Sequence, residues 1–275
     1  MMVEIFSIVT ILCVSAFLVY SIAHRLHQRE KQLAQANTLL KEQDHIKSEY
    51  VMKVAHDLAE PASTITSCLK LVTQGLTGPI PEKAMDMVQR AQHKSEYLGQ
   101  LVKDLLSLSR IKAVSEIPKT EVKLPEVISQ VFEELQPHVI EKRLTLEQKL
   151  PAALPVVYGN AEAIHELLGN LVSNAVKYTL VGGRVEVSAE NTGDKVLVKV
   201  RDNGVGIPVE AVGHIFEEFY RADNVKAETI QGTGLGLSIV KQILNVHCGE
   251  IWVESEQDKG TTFSFTLPIA GQSHA

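Results

Sequence analysis

The stretch Asp202-Asn203-Gly204-Val205-Gly206-Ile207-Pro208 directly follows residues 195–201, whose alternating apolar pattern predicts a β-strand. It places one carboxylate inside a turn, and a buried carboxylate can accept a hydrogen bond from an exocyclic amine such as that of adenine. The two glycines let the backbone turn tightly and approach a flat ring or a phosphate. By itself the stretch leaves two interpretations open, because a plain turn between a strand and a helix would use the same residues.

A predicted helix before this turn, residues 165–178, carries polar side chains on one face. Asn170, Asn174, Lys177 and Tyr178 follow i, i+4, i+7, i+8 spacing. An amide oxygen is a hard ligand that suits Mg²⁺, and a lysine can meet phosphate as a point charge. The alternative, an ordinary water-facing surface, is disfavoured because asparagine is a poor helix former. The face therefore predicts a magnesium–nucleotide site.

A second glycine-rich stretch, Gly232-Thr233-Gly234-Leu235-Gly236-Leu237-Ser238, opens a predicted helix at residues 235–247. Backbone N–H groups and the positive end of the helix dipole would face a phosphate there. The spacing matches neither the dinucleotide-binding G-x-G-x-x-G pattern nor a Walker A loop. The polar residues 222–231 before it are interpreted either as a mobile lid over the nucleotide or as an ordinary surface loop.

Bulk composition excludes some classes of protein. The chain has 275 residues, of which 45% are hydrophobic and 22% charged, as in a globular protein. Its net charge is -6 and it has no run of basic residues, which argues against nucleic acid as a partner. The 3 cysteines have no metal-ligand spacing and indicate a reducing compartment.

The N-terminus has the character of a membrane anchor. Residues 5–23 carry no charge, and at about 1.5 Å per residue they just span a bilayer core of about 30 Å. A cleaved signal peptide or a buried helix is the alternative, but the leading charge is the acidic Glu4. The basic Arg25, Arg29 and Lys31 follow the run, so the remainder of the chain is expected in the cytoplasm. The sequence thus predicts a single-pass protein of the inner (plasma) membrane, in contact with lipid.

The rest of the chain predicts an α+β fold with a helical part first. After the anchor at 1–23, a juxtamembrane signalling helix covers 24–46, and heptad-like spacing predicts an antiparallel helical hairpin over 47–112. Two such helices bury too little alone, so a homodimeric four-helix bundle is expected. A linker at 113–120 precedes a two-layer α/β sandwich domain at 121–270 and a tail at 271–275. The predicted strands are 144–150, 184–190, 195–201, 251–254 and 262–267, and the predicted helices are 124–141, 160–178 and 235–247.

Taken in order, these segments resemble a known family. Residues 170–179, 202–208, 215–221 and 232–237 are similar to the N, G1, F and G2 boxes of sensor histidine kinases. These enzymes belong to the wider ATPase superfamily that includes gyrase, Hsp90 and MutL, and the strings DNGVGIP, IFEEFYRAD and GTGLGLSIV resemble the kinase branch. The similarity covers residues 47–268 and implies a Bergerat-type ATP-binding domain after a dimerisation hairpin.

The resemblance implies a set of residues for ATP and Mg²⁺. Asn174 would hold Mg²⁺ and Lys177 would contact phosphate, while Tyr178 would line the adenine pocket and Asp202 would accept from the adenine amine. Arg221 could reach the γ-phosphate. Glycines of both stretches would shape the pocket and wrap the phosphates, and two phenylalanines would pack the base of the lid. The further residues implied are Asn170, Gly204, Gly206, Phe216, Phe219, Gly232, Gly234, Gly236 and Leu237.

The stretch V-A-H-D-L-A-E-P at residues 54–61 resembles the H-box that carries the phosphoacceptor. His56 is then the nucleophile, since a neutral imidazole is competent near pH 7, and Asp57 can hydrogen-bond its other ring nitrogen. The stretch departs from the usual pattern at Ala59 and Glu60. A carboxylate at position 60 could repel an acyl-phosphate, so phosphatase activity toward the partner is expected to be weak or absent.

Together, these features predict a sensor histidine kinase that autophosphorylates on His56 with ATP–Mg²⁺. The phosphoryl group would pass to an aspartate of a response-regulator receiver domain, the second partner besides a copy of the chain itself. Two alternatives stay open: an inactive scaffold that binds ATP, and a gyrase- or MutL-like ATPase. The intact Asn174 and Asp202 argue against the first, and the H-box argues against the second.

Overall fold

The computed structural model describes residues 2–113, 117–222 and 232–271, and within 2–50 it describes the side chains of only some residues. The chain comprises two compact units, Met1–Glu49 and Tyr50–Ala275. A helix, α1 (Met2–Thr73), starts in the first unit and ends in the second. Within the described part of the chain, no helix combines the length and the apolar run that crossing a membrane requires. Most side chains of the predicted anchor at 5–23 lie outside the described residues.

In the second unit, the end of α1 and helix α2 (Glu82–Ala113) form the predicted hairpin. Small side chains make the seam: Ala55 and Ala62 are buried, and the buried Ser95 hydroxyl donates to the Ala62 carbonyl at 3.2 Å. Gly75 and Gly78 in the connection have φ of +77° and +93°, a region that favours glycine. Close backbone approach through small residues and a glycine turn therefore produce the antiparallel pair.

A five-stranded mixed sheet forms the rest of this unit. Its strands are β2 (Thr145–Lys149), β4 (Arg184–Asn191), β5 (Lys195–Asp202), β6 (Ile251–Glu256) and β7 (Gly260–Pro268). Their order in the sheet is β2-β4-β5-β7-β6, with β2 parallel to β4 and the other pairs antiparallel. Alternate residues of β4 and β5 are buried, so one face of the sheet carries the core.

The core lies between this sheet and a layer of helices. The helices are α3 (Leu124–Glu141), α4 (Ala161–Tyr178), the four-residue α5 (Val209–Val212) and α6 (Gly236–Val246). α4 begins where the Asn160 side chain accepts a hydrogen bond from Ala163 N. Its buried face includes Leu167, Leu168 and Leu171 at helical spacing. A helix layer on one sheet confirms the predicted α+β fold class with a helical bundle part and a sheet domain.

Helices α4 and α6 are joined by a buried histidine. His247 Nε2 accepts from Asn160 N at 2.9 Å, and His247 Nδ1 lies 2.7 Å from the Ile243 carbonyl, to which it donates. Burial lowers the pKa of His247 and so keeps the ring neutral, as this pair of roles requires. The end of α6 is thereby fixed to the start of α4, and these two helices flank the cavity described next.

The predicted strands and helices of this domain agree with the observed ones to within two residues. Prediction missed three short elements: β1 (Thr120–Val122) and β3 (Val157–Gly159), which pair with each other, and helix α5. Three or four residues are too few to show a period of 2 or 3.6, which is the physical reason for the omission.

Candidate nucleotide-binding site

A cavity of about 480 Å³ opens between α4, the start of α6, the ends of β5 and β7, and helix α2 of the hairpin. Most of the predicted ligand-binding residues meet there although they are far apart in sequence. Those that line it are Asn170, Asn174, Lys177, Tyr178, Asp202, Gly206, Arg221, Gly232, Gly234, Gly236 and Leu237. Its size and its mixture of apolar walls with a few convergent polar groups are typical of small-molecule sites.

Cationic groups cluster at one end of the cavity. Lys177 Nζ lies 5.0 Å from the centre of the Tyr178 ring, and a Cβ built at Gly232 would come within 2.7 Å of it. Burial, together with the positive charges of Arg221 and Lys142, lowers the pKa of Lys177 to about 8. Because the ammonium is desolvated beside other cations, an anion entering here would be stabilised.

Asp202 ends strand β5 and faces the cavity with only 7% of its surface exposed. Its Oδ1 accepts from Gly204 N at 2.8 Å, and the backbone of Thr261 on the neighbouring strand also donates to it. Burial raises the pKa of Asp202 to about 6, since these two hydrogen bonds only partly offset the loss of water. Near neutral pH the side chain is therefore an ionised acceptor for a ligand N–H.

The turn after Asp202 has the backbone geometry that the glycines allow. Gly206 has φ of +63° and lines the cavity together with Ile207. A Cβ at this position would collide with the backbone of Glu256. Gly204 instead packs against the backbone of Tyr178, so it supports the turn and is not one of the cavity-lining residues.

The second glycine stretch forms the wall of the cavity at the start of α6. A Cβ at Gly236 would lie 2.8 Å from Asn170 Oδ1, so the α4 face and the first turn of α6 are in close contact. Asn170 Nδ2 donates to the Glu166 carbonyl at 3.0 Å. The N-terminus of α6 therefore presents its first backbone N–H groups at the wall of the cavity beside Asn170.

The two phenylalanines do not line the cavity. Phe216 packs edge-on against Phe263 with ring centres 6.3 Å apart, and Phe263 does line it. Phe219 is 57% exposed, has φ of +64°, and its N–H donates to the Gly234 carbonyl at 2.9 Å. Of the predicted lid, residues 223–231 lie outside the described residues.

The H-box residues lie on α1, away from the described wall of this cavity. The side chain of His56 is 79% exposed, and its Nδ1 is 3.5 Å from Asp57 Oδ1. Neither residue is among those that line the cavity in the part of the chain that the structure describes. The candidate phosphoacceptor is therefore not part of the described wall of the cavity.

Sequence reasoning missed several cavity residues that come from other elements. Helix α2 contributes Glu96, Tyr97, Gln100 and Asp104, and the sheet contributes Thr261. The i, i+4, i+7 or i+8 spacing of the four α2 residues was present in the sequence, but it does not say which element they face.

The donor set fits a magnesium ion that arrives with phosphates. Asn174 offers a hard amide oxygen at the cavity wall. In the described part of the chain there is no group of three His, Cys, Asp or Glu that could hold a metal alone. Mg²⁺ commonly uses one or two protein ligands, several waters and substrate phosphates, so a single amide is compatible with it.

The domain has a layer of helices on a mixed sheet, with a cavity between α4, which carries the asparagines, and the glycine-rich start of α6. This combination defines a nucleotide-binding ATPase fold. Residues 159–271 match the family model described as histidine kinase-, DNA gyrase B-, and HSP90-like ATPase. The adaptive-response sensory kinase SasA of Crocosphaera subtropica is 35% identical over 236 residues, which cover 84% of this chain and 61% of SasA.

Two solved structures agree. The catalytic domain of histidine kinase ThkA, nucleotide-free, is 30% identical with a TM-score of 0.50, covering 56% of this chain and 99% of that domain. Full-length ShkA in complex with AMPPNP is 26% identical with a TM-score of 0.65, covering 82% of this chain and 46% of ShkA. The chain belongs to the sensor histidine kinase family, and it spans 61% of the length of the SasA relative.

Proposed function

We propose that the protein is an ATP-dependent protein-histidine kinase that phosphorylates His56 and passes the phosphoryl group to a receiver-domain aspartate of a response regulator. The observation that carries the proposal is the cavity itself: an ionised acceptor at Asp202 and a desolvated cation at Lys177 lie at its wall with the helix N-terminus of α6. Adenine would lie at the Asp202 side and the phosphates at the Lys177 side.

The geometry of the H-box supports a specific chemistry at the acceptor. Asp57 Oδ1 faces His56 Nδ1, which favours the tautomer with the proton on Nδ1 and leaves the Nε2 lone pair to attack. A bond forms between Nε2 and the γ-phosphorus while the bond from that phosphorus to the bridging β–γ oxygen breaks, and ADP leaves. The Nδ1 proton is stabilised by, or transferred to, Asp57. Magnesium bound with the nucleotide supplies charge neutralisation.

Homodimerisation is proposed from an apolar stripe on the hairpin. Val54, Leu58 and Ile65 of α1 leave 39%, 44% and 51% of their surfaces exposed at helical spacing, and Leu98 of α2 leaves 39% exposed. A second hairpin packed on this stripe would complete the four-helix bundle. Because His56 lies apart from the cavity, transfer requires either movement of the ATP-binding domain or the His56 of a second copy.

Anchoring in the inner membrane is proposed from the uncharged run at 5–23 and the basic residues that follow it. The catalytic part would face the cytoplasm. Retention of the full chain in carbonate-washed membranes supports the anchor, and its release into the wash would contradict it.

The test of the kinase proposal uses γ-labelled ATP and the full chain. We expect an acid-labile, alkali-stable label that disappears in His56→Gln and stays in the matched control His93→Gln, an exposed histidine on the other hairpin helix. ATP binding without any label would indicate an inactive scaffold. Phosphate release without labelling would indicate a clamp-type ATPase.

A further inference from the structure

A carboxylate from the helical hairpin reaches the nucleotide cavity. Asp104 lies on α2, is only 8% exposed, and is one of the residues that line the cavity. Its Oδ2 accepts from the Thr233 hydroxyl at 2.5 Å, and its Oδ1 accepts from Gln100 Nε2 at 2.7 Å. Both carboxylate oxygens are thus engaged, one of them by the glycine-rich stretch that forms the phosphate end of the site.

The position of Thr233 makes this contact significant for nucleotides. Thr233 stands between Gly232, which lies against Lys177 Nζ, and Gly234. Its hydroxyl oxygen also accepts from Leu235 N at 3.3 Å, so it is part of the turn into α6. The hairpin carboxylate therefore holds the loop at the end of the cavity where the cations lie and where phosphate would bind.

Other contacts keep α2 against the ATP-binding domain. Leu108 and Ile111 of α2 are buried in the same apolar core as α4 and α6, and Lys112 Nζ pairs with Glu218 at 2.5 Å. A Ser107 hydroxyl hydrogen-bonds the half-buried Glu166 on α4. The hairpin is docked on the domain in this arrangement, with His56 outside the cavity.

We propose that the hydrogen bond between Asp104 and Thr233 is a latch, which the terminal phosphate of ATP must break when it binds. While α2 is docked, Asp104 therefore lowers the affinity of the cavity for nucleoside triphosphates. This rests on the proposed function of the cavity as an ATP site. Two consequences follow from placing a buried negative charge beside the phosphate end. A ligand with more phosphate charge is repelled more strongly, and a bound triphosphate weakens the docking of α2 by the same free energy.

The test compares nucleotide affinities of the full chain in detergent by calorimetry, with AMP-PNP and ADP in the presence of Mg²⁺. Asp104→Asn keeps the size of the side chain and removes its charge. We expect it to bind AMP-PNP about tenfold more tightly, equivalent to about 1.4 kcal/mol, and ADP less than about threefold more tightly. The matched control is Asp86→Asn, an exposed aspartate on the same helix paired with Arg90, which should leave both affinities unchanged.

A second measurement does not depend on the variant. Hydrogen exchange of α2 peptides covering Gln100 to Asp104 should become faster when AMP-PNP binds to the wild-type chain, and less so with ADP. Unchanged affinity for AMP-PNP in a folded Asp104→Asn, or unchanged or slower exchange in α2, would overturn the latch. If the wild-type chain binds neither nucleotide, the proposed function fails and the latch fails with it.

Discussion

Replacing Asp202 with asparagine should stabilise the protein while removing its affinity for ATP. Burial moves the pKa of Asp202 from 3.8 to about 6 on folding. Since one pKa unit corresponds to about 1.36 kcal/mol, the ionised carboxylate costs the folded state about 3 kcal/mol above pH 6. An asparagine cannot accept from both Gly204 N and the Thr261 backbone with equal quality, which costs about 1 kcal/mol. The net gain at pH 7.5 is about 2 kcal/mol.

The pH dependence gives the sign of this effect. The pKa of Asp202 is higher in the folded state than in the unfolded state. Its contribution to the free energy of unfolding is therefore fully present below pH 3.8, is lost as the pH rises toward about 6, and stays lost above that pH. The advantage of Asp202→Asn should therefore shrink by about 1 kcal/mol between pH 7 and pH 5. At pH 7.5 the midpoint of thermal unfolding should rise by about 4–8 °C.

Thermal melts followed by circular dichroism at pH 5 and 7.5, with ATP titrations on the same samples, measure both effects. ATP affinity should fall at least about 100-fold, because the amide turns a donor toward the adenine amine. The exposed Asp194→Asn is the matched control and should change neither property. A variant that binds ATP like the wild type, or that is less stable at every pH, would refute this account of the turn.

Three further predictions concern the rest of the unit. ATP affinity should fall as the pH rises through about 8, where Lys177 loses its proton, and this fall should be absent in Lys177→Arg when affinity is titrated from pH 7 to 9. Leu168→Ala in the core should lower the free energy of unfolding by about 2–5 kcal/mol, whereas the exposed Leu180→Ala should change it by less than about 0.5 kcal/mol in urea melts. Glu60→Thr should raise ADP-stimulated dephosphorylation of a phosphorylated receiver domain over a weak wild-type rate; efficient dephosphorylation by the wild type would contradict the role given to Glu60.

Elements with a long period were predictable from the sequence alone. The buried faces of α4 and of β4 and β5 repeat over several turns or pleats, and their bounds agree with the prediction. β1 and β3 could not be predicted this way, because each three-residue strand exists through its pairing with the other, across 34 intervening residues from Val122 to Val157. That pairing is a tertiary contact without a local pattern.

The candidate site shows the same difference between local patterns and contacts between distant elements. Its local parts, such as Asp202 with Gly206 and the α4 asparagines, can be predicted from the sequence because the residues that form each of them lie close together in the chain. The parts that set their properties come from elsewhere: Thr261 on β7 donates to Asp202, and Asp104 on α2 accepts from Thr233. The pKa of Asp202 and the state of the phosphate end therefore depend on contacts between elements. A sequence motif can identify the residues that meet a nucleotide, but these contacts determine how tightly each of them can hold it.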